Sequence, residues 1–205
     1  IGTDGVLLGA WAQLSEACNT VLDIGTGTGL LSLMLAQRYA HLSLHAIEID
    51  AAAAEEAQFN FEQSPWHERL QLEQVEFVTF YAQKNRDFDH IVCNPPFYQN
   101  GYPIENDQRN LARNHSSLPL TDLFQGIASL LSAAGRCSLV LPITQEKDVM
   151  ALAQVHGLFL HRYTKVRGHV TAPFKRMLIE LGRVEQTAVF DELTLEVTRH
   201  QRTPE

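Results

Sequence analysis

Two short stretches of this chain carry residue types at spacings that can do chemistry. The first is Asn94-Pro95-Pro96-Phe97. Pro95 pushes Asn94 toward an extended conformation and so fixes where its side chain points. Neither proline has an N–H, so the turn presents acceptors, the Asn94 amide oxygen and the Pro95 carbonyl. Two converging acceptors suit a planar –NH2 that donates two hydrogens, and Phe97 adds an aromatic face for stacking. Together they can hold such a nitrogen and stabilise positive charge developing on it. The second stretch is Asp23-Ile24-Gly25-Thr26-Gly27-Thr28-Gly29. Its alternate glycines allow positive φ and let a ligand lie against bare backbone. A helix start just beyond would add unpaired N–H groups.

The spacing of the second stretch separates two cofactor classes. A dinucleotide turn reads G-x-G-x-x-G, whereas this one reads D-x-G-x-G-x-G. An acid at Asp23 would repel a pyrophosphate but suits the ammonium of an amino-acid cofactor. S-adenosylmethionine has that ammonium and NAD does not. A methyl sulfonium opposite an –NH2 held by Asn94 needs no strong general base, because the amine becomes acidic only as the methyl arrives. No metal is expected either: the nine histidines form no ligand cluster, and His156 and His161 come without a cysteine pair.

These groups need a scaffold that brings them together. Residues 20 to 24 read as a strand and 29 to 38 as a helix, with Asp23 through Gly29 between them. A second strand, 43 to 48, ends at Glu48, and Asp50 is placed to cap a helix over 51 to 61. Glu48 at a strand end suits a ribose diol, with Ile49 beside it; Asp50 competes for that role. Further strands are expected over 70 to 75, ending at Glu76, and over 88 to 93, ending at Asn94. Residues 98 to 119 form a polar loop too long for a neutral connection and read as substrate-binding. Beyond it the pattern predicts a helix over 120 to 131, a strand over 136 to 141 and a helix over 145 to 155. Strands 159 to 166 and 176 to 183 should then form an antiparallel pair, with one more over 190 to 198. At the amino end a helix capped by Thr3 or Asp4 should present Val6, Leu7, Ala10 and Trp11 as its apolar face. The alternation of strands and helices predicts an α/β fold with helices on both faces of a mostly parallel sheet. The Gly-rich turn, Glu48, Glu76 and Asn94 all fall at carboxyl ends of strands, where such sheets bind ligands.

Length and composition fit one domain spanning residues 1 to 205, with both termini reading as truncated. No apolar run is long enough for a membrane helix. Cys18, Cys93 and Cys137 are scattered and read as reduced thiols in the cytoplasm. A net charge of −8 argues against indiscriminate nucleic-acid binding. Yet no acid occurs between Asp148 and Glu180, where Arg162, Lys165, Arg167, Lys175 and Arg176 lie. That interval predicts a local basic face that grips RNA phosphates, with Arg109 and Arg113 of the long loop as further contacts.

The Asp23 to Gly29 stretch resembles motif I of the Rossmann-like, class I S-adenosylmethionine-dependent methyltransferases. Asn94-Pro95-Pro96-Phe97 resembles the motif of their amino-methylating branch, whose targets are adenine N6, guanine N2 or glutamine N5. Gly2-Thr3-Asp4-Gly5, Leu7-Leu8-Gly9-Ala10-Trp11, Gln63-Ser64-Pro65-Trp66 and Tyr98 are similar to the bacterial tRNA adenine-N6 methyltransferases. The resemblance implies methylation of the adenine following the anticodon of a valine tRNA, by a monomer. It also implies cofactor contacts at Thr3, Asp23, Gly25, Thr26, Gly27, Gly29, Glu48, Ile49, Glu76 and Asn94. Catalytic roles are implied for Asn94, Pro95, Pro96 and Phe97. Glu76 departs from the usual Asp by one methylene. The alternatives are a protein glutamine N5- or rRNA guanine N2-methyltransferase and, outside enzymes, a silent nucleotide-binding subunit.

Overall fold

The computed structural model describes residues 2–83, 87–95, 118–198 and 201–202. In chain order the elements are α1 (Thr3–Trp11), β1 (Thr20–Ile24), α2 (Leu30–Arg38), β2 (Ser43–Glu48) and α3 (Ala51–Glu62). Then come β3 (Leu70–Gln74), α4 (Phe77–Gln83), β4 (Phe88–Cys93), α5 (Leu120–Leu130) and β5 (Leu131–Pro142). The last are α6 (Glu146–Val155), β6 (Phe159–His169), β7 (Arg176–Gly182), β8 (Val189–Thr198) and β9 (Gln201–Arg202). The strands make one sheet in the order β3-β2-β1-β4-β5-β7-β6-β8-β9.

The first five strands of that order are parallel; the inner four are largely buried on both faces, whereas the edge strand β3 alternates apolar and polar residues. Alternate residues feed two separate cores. Leu22, Ile24, Ile91, Leu139 and Leu141 meet Phe77, Phe80, Phe124 and Val149 of α4, α5 and α6. Val21, Val92, Val140 and Leu178 meet Leu8, Leu31, Leu35 and Phe61 of α1, α2 and α3. The expected antiparallel pair is β6 with β7, and β7 also runs antiparallel to β5. β8 returns parallel to β6.

Three expectations need correction. α4 has no counterpart in the sequence reading, because its seven residues give too short a periodic signal. β5 begins at Leu131 rather than at 136, continuing the chain directly from α5. In α1 neither Thr3 nor Asp4 caps: Gly2 holds the N-cap position, and no side chain bonds the first turn. The buried face of α1 is Gly5, Leu8 and Gly9, while Val6 is 44% exposed. Glycines there were invisible to a search for an apolar stripe; a Cβ on Gly9 would lie 2.6 Å from the Met34 sulfur, so the small residue sets the close approach of α1 to α2.

The strand order reverses at β1, which has β2 on one side and β4 on the other. That reversal opens a crevice above the carboxyl end of β1. Ile24 pairs with Ile47 and Cys93, so the ends of β1, β2 and β4 stand level. The chain leaves β1 through Gly25 (φ 65°), Gly27 (φ 58°) and Gly29 (φ 85°), all in the left-handed region. At Gly29 packing adds to the backbone constraint, since a Cβ would sit 2.5 Å from the Phe61 ring. Gly29→Ala should therefore destabilise the protein by about 2 kcal/mol or more, combining left-handed strain with a clash. Gly25→Ala, with open space around its Cβ, should lose only about 1 kcal/mol. Thermal unfolding of the two variants side by side checks that order.

Candidate active site

One cavity of about 1010 Å³ lies over the ends of β1, β2, β3 and β4. Of the expected site residues, Thr3, Gly25, Thr26, Gly27, Glu48, Ile49, Glu76, Asn94 and Pro95 line it. Gly29 does not line it; it ends the turn, and its N–H donates to the Thr26 carbonyl at 3.0 Å. Asp23 does not line it either. It is fully buried beneath the turn, where Oδ2 accepts from Thr26 Oγ1 (2.6 Å), Ser32 Oγ (2.8 Å) and the Ser32 N–H (3.2 Å). Its other oxygen, Oδ1, has no hydrogen-bond partner among the described residues. Burial pushes the Asp23 carboxyl up to about 6, against the pull of the Thr26 and Ser32 hydrogen bonds.

Glu48 is nearly buried, and its carboxylate is already engaged. Oε2 accepts from the Gly27 N–H at 2.8 Å, and Oε1 accepts from the N–H groups of Ile49 (2.9 Å) and Asp50 (3.0 Å). A carboxylate has about four lone-pair sites, so this geometry leaves one, on Oε2. The sequence reading gave Glu48 both hydrogen bonds of a diol; the structure instead makes it the brace that ties the Gly-rich turn to β2. Asp50 has the capping role, accepting from the Ala53 N–H at 2.9 Å.

A second brace comes from α3, where Asn60 Nδ2 donates to the Thr28 carbonyl at 2.9 Å. Sequence reasoning missed Asn60, since a polar residue inside a helix gives no signal of a contact 32 residues away. Glu76 is exposed on the cavity wall just before α4; its carbonyl accepts from the Phe80 N–H, and its carboxylate from Thr79 Oγ1 at 3.4 Å.

Asn94 is half-buried and Pro95 buried on the side of the cavity facing α1. A Cβ on Gly5 would lie 3.6 Å from Asn94 Nδ2. Pro96, Phe97, Arg109 and Arg113 lie outside the described residues. Cys93 below Asn94 is fully buried and its thiol is held well above its usual range by burial, so it is an inert neighbour.

Among the described residues the acidic and basic side chains on the cavity wall are Asp4, Glu48, Asp50, Glu76, Asp122 and Arg176. Five acids against one base give an interior that attracts a cation and repels phosphate. Among the described residues no cluster of three or more His, Cys, Asp or Glu could hold a metal ion, and no helix is long and apolar enough to cross a membrane.

The basic interval does not form one surface. Along β6, Tyr163 packs into one core and Val166 into the other, so Lys165 and Arg167 face away from Arg162. Arg162 stacks over Trp11, 4.1 Å from the ring centre, and donates to the Trp11 carbonyl at 3.3 Å. Arg176 donates from Nε to Asp4 Oδ2 at 2.8 Å. Arg167 lies over the Phe174 ring and donates to Thr194 Oγ1 at 2.8 Å. Lys175 is exposed in the turn between β6 and β7, which stands at the same sheet edge as the cavity.

Comparison with known proteins identifies the family. The family described as Methyltransferase small domain matches residues 6–116. A tRNA1(Val) (adenine(37)-N6)-methyltransferase of Christiangramia forsetii is 44% identical over the whole chain and 86% of its own length. One from Vibrio vulnificus is 45% identical over 95% of the chain and 80% of its own. Among solved structures, a protein of Agrobacterium tumefaciens described as a predicted O-methyltransferase superposes with a TM-score of 0.76, covering 98% of this chain and 92% of its own at 18% identity. A Streptomyces coelicolor geranyl diphosphate C-methyltransferase solved with S-adenosyl-L-homocysteine gives 0.62, over 88% and 79% at 14% identity. At such identities these two speak for the fold alone, whereas the full-length relatives decide the family: this chain belongs with the tRNA1(Val) (adenine(37)-N6)-methyltransferases.

Proposed function

We propose that this chain, as a single cytoplasmic domain acting as a monomer, methylates N6 of the adenine following the anticodon of a valine tRNA. One observation carries the reading: the amine acceptors Asn94 and Pro95 share an acid-lined cavity with the Gly-rich turn. S-adenosylmethionine supplies an electrophilic methyl group on a sulfonium. The left-handed turn at Gly25 and Gly27 leaves open backbone for its amino-acid end, and the free Oε2 site of Glu48 accepts from one ribose hydroxyl. Ile49 and Glu76 flank the adenine. Thr3, at the start of α1, covers the open side.

Asn94 Oδ1 and the Pro95 carbonyl accept the two N6 hydrogens and set the nitrogen lone pair toward the methyl carbon. Phe97 would supply an aromatic face for the target base, and Pro96, which has no N–H, would add no competing donor. The same acceptors would stabilise the positive charge that grows on N6 as it takes the methyl group from the sulfonium, which leaves as the neutral thioether. The proton then leaves to water. An anticodon-loop adenine is already partly unstacked, which lowers the cost of seating it.

Asp23 acts on the cofactor through its charge. Below pH 6 it is neutral, so affinity for S-adenosylhomocysteine should strengthen about three- to tenfold from pH 5 to pH 7 and then level off. The sign follows from binding that favours the ionised acid. Calorimetry across that window checks it, and Asp23→Asn should flatten the curve.

An acidic cavity needs its phosphate contacts outside. Lys165, Arg167 and Lys175, with Arg109 and Arg113, supply them. Replacing Lys165 and Arg167 by Ala should raise KM for tRNA and lower the salt slope by up to about two, with cofactor binding untouched. The whole reading is tested by mass spectrometry of nucleosides from valine tRNA incubated with the enzyme and cofactor. N6-methyladenosine should form on the natural transcript and vanish when the adenine after the anticodon becomes guanine. Methylation of a glutamine-bearing protein or of rRNA guanine in its place would overturn it.

A further inference from the structure

The geometry points to Asp4 and Arg176 as a positioning pair that presses the first turn of α1 against Asn94, a role that rests on the reading of Asn94 as the amine acceptor. α1 is a poor helix by itself: it has nine residues, an uncapped start, and glycines at 5 and 9. α2 holds the carboxyl half of α1, where Gly9 packs on Met34 and Arg38 donates to the Gly9 and Ala12 carbonyls, and bonds to β6 and β7 pin its two ends. At its carboxyl end Trp11 Nε1 donates to Thr164 Oγ1 at 2.9 Å, and Arg162 stacks on the indole. At its amino end the Asp4–Arg176 pair joins the helix to the first residue of β7. Both side chains are about two-thirds covered, 26% and 32% exposed, so water screens the pair less than it would on open surface.

Between these two pins stands Gly5. It is buried, and a Cβ there would meet the Leu30 side chain at 3.3 Å and Asn94 Nδ2 at 3.6 Å. The first turn of α1 thus stands beside the Asn94 amide, with room between them for little more than a methyl group. Asp4, Arg176 and Asn94 all border the same cavity. With the pair intact, the Asn94 amide is held against rotation and its oxygen keeps its direction toward the substrate nitrogen. With the pair broken, the first turn can lift, and the amide loses its backstop. Arg176 therefore serves orientation rather than the phosphate grip that its place in the basic interval suggests.

Steady-state methylation of valine tRNA by Asp4→Asn, Arg176→Met and the double variant tests this, together with hydrogen exchange of the amides of residues 6 to 9. Each single change should lower kcat about ten- to a hundredfold, the scale of a misplaced catalytic group, with KM for tRNA little changed. The double variant should be no worse than the poorer single, and exchange over residues 6 to 9 should quicken in all three. Losses that multiply in the double variant would overturn the pairing. So would an Arg176→Met enzyme with raised KM and normal kcat, since Arg176 would then be a phosphate contact. Unchanged exchange in Asp4→Asn would do the same without recourse to activity. Wild-type enzyme that makes no N6-methyladenosine would defeat the functional reading, while the exchange data would still decide the pair.

Discussion

Asn94→Ala is expected to lower kcat by roughly 10²–10³, the loss seen when one transition-state hydrogen-bonding group is removed. The Pro95 carbonyl would remain, so the target amine would keep one acceptor and lose its alignment. Affinity for S-adenosylhomocysteine should fall much less, because the turn and Glu48 are untouched. The side chain is half-buried at the cavity wall, so truncation should cost little stability. Single-turnover methylation beside calorimetry separates the two quantities. Activity retained within a few-fold would show that Asn94 only terminates β4.

Glu48→Ala should have the second-largest effect, and on two quantities at once. The carboxylate receives the N–H groups of Gly27, Ile49 and Asp50. Removing it takes the acceptor from three backbone donors and also removes the ribose contact. Stability should drop by about 2–4 kcal/mol, within the range for losing charged hydrogen bonds to partly buried donors. Cofactor affinity should drop further than the about 1–3 kcal/mol of a ribose contact alone, because the turn would no longer be held for binding. Glu48→Gln, with one acceptor oxygen left, should fall between. Thermal unfolding with and without S-adenosylhomocysteine reports both. If Glu48→Ala unfolds like the wild type and loses only affinity, the bracing of the turn is unimportant.

Much of this was legible in the sequence because it depends on short-range rules. Glycine spacing and a strand–turn–helix pattern placed the Gly-rich turn, and the end of β4 placed Asn94 and Pro95 at the same cavity. Strand alternation gave the sheet and even the antiparallel β6–β7 pair. What escaped were effects of distance and of alternation combined. Asp23 reads as a ligand acid, yet its Thr26 and Ser32 bonds draw it under the turn, a consequence of β1 facing α2. Glu48 reads as free to bind, yet the bend after β2 turns three N–H groups onto it. The basic interval reads as one face because sequence proximity hides the two-residue period of β6. That period sends Arg162 to Trp11 and Lys165 to the other side.

The pins on α1 also have a consequence for biogenesis. Trp11 bonds Thr164, 153 positions along the chain, and Asp4 bonds Arg176, 172 positions along. During vectorial synthesis β1 to β4, with the Gly-rich turn and Asn94, are made well before β6 and β7. The nascent chain thus gathers the Gly-rich turn and Asn94 early, while α1, which can already pack on α2 through Gly9 and Met34, must wait for both pins. Contacts of such high order are slow to close. The wall beside Asn94 is therefore pinned only after β7 has been made, so the Gly-rich turn is assembled before the wall opposite it is held in place.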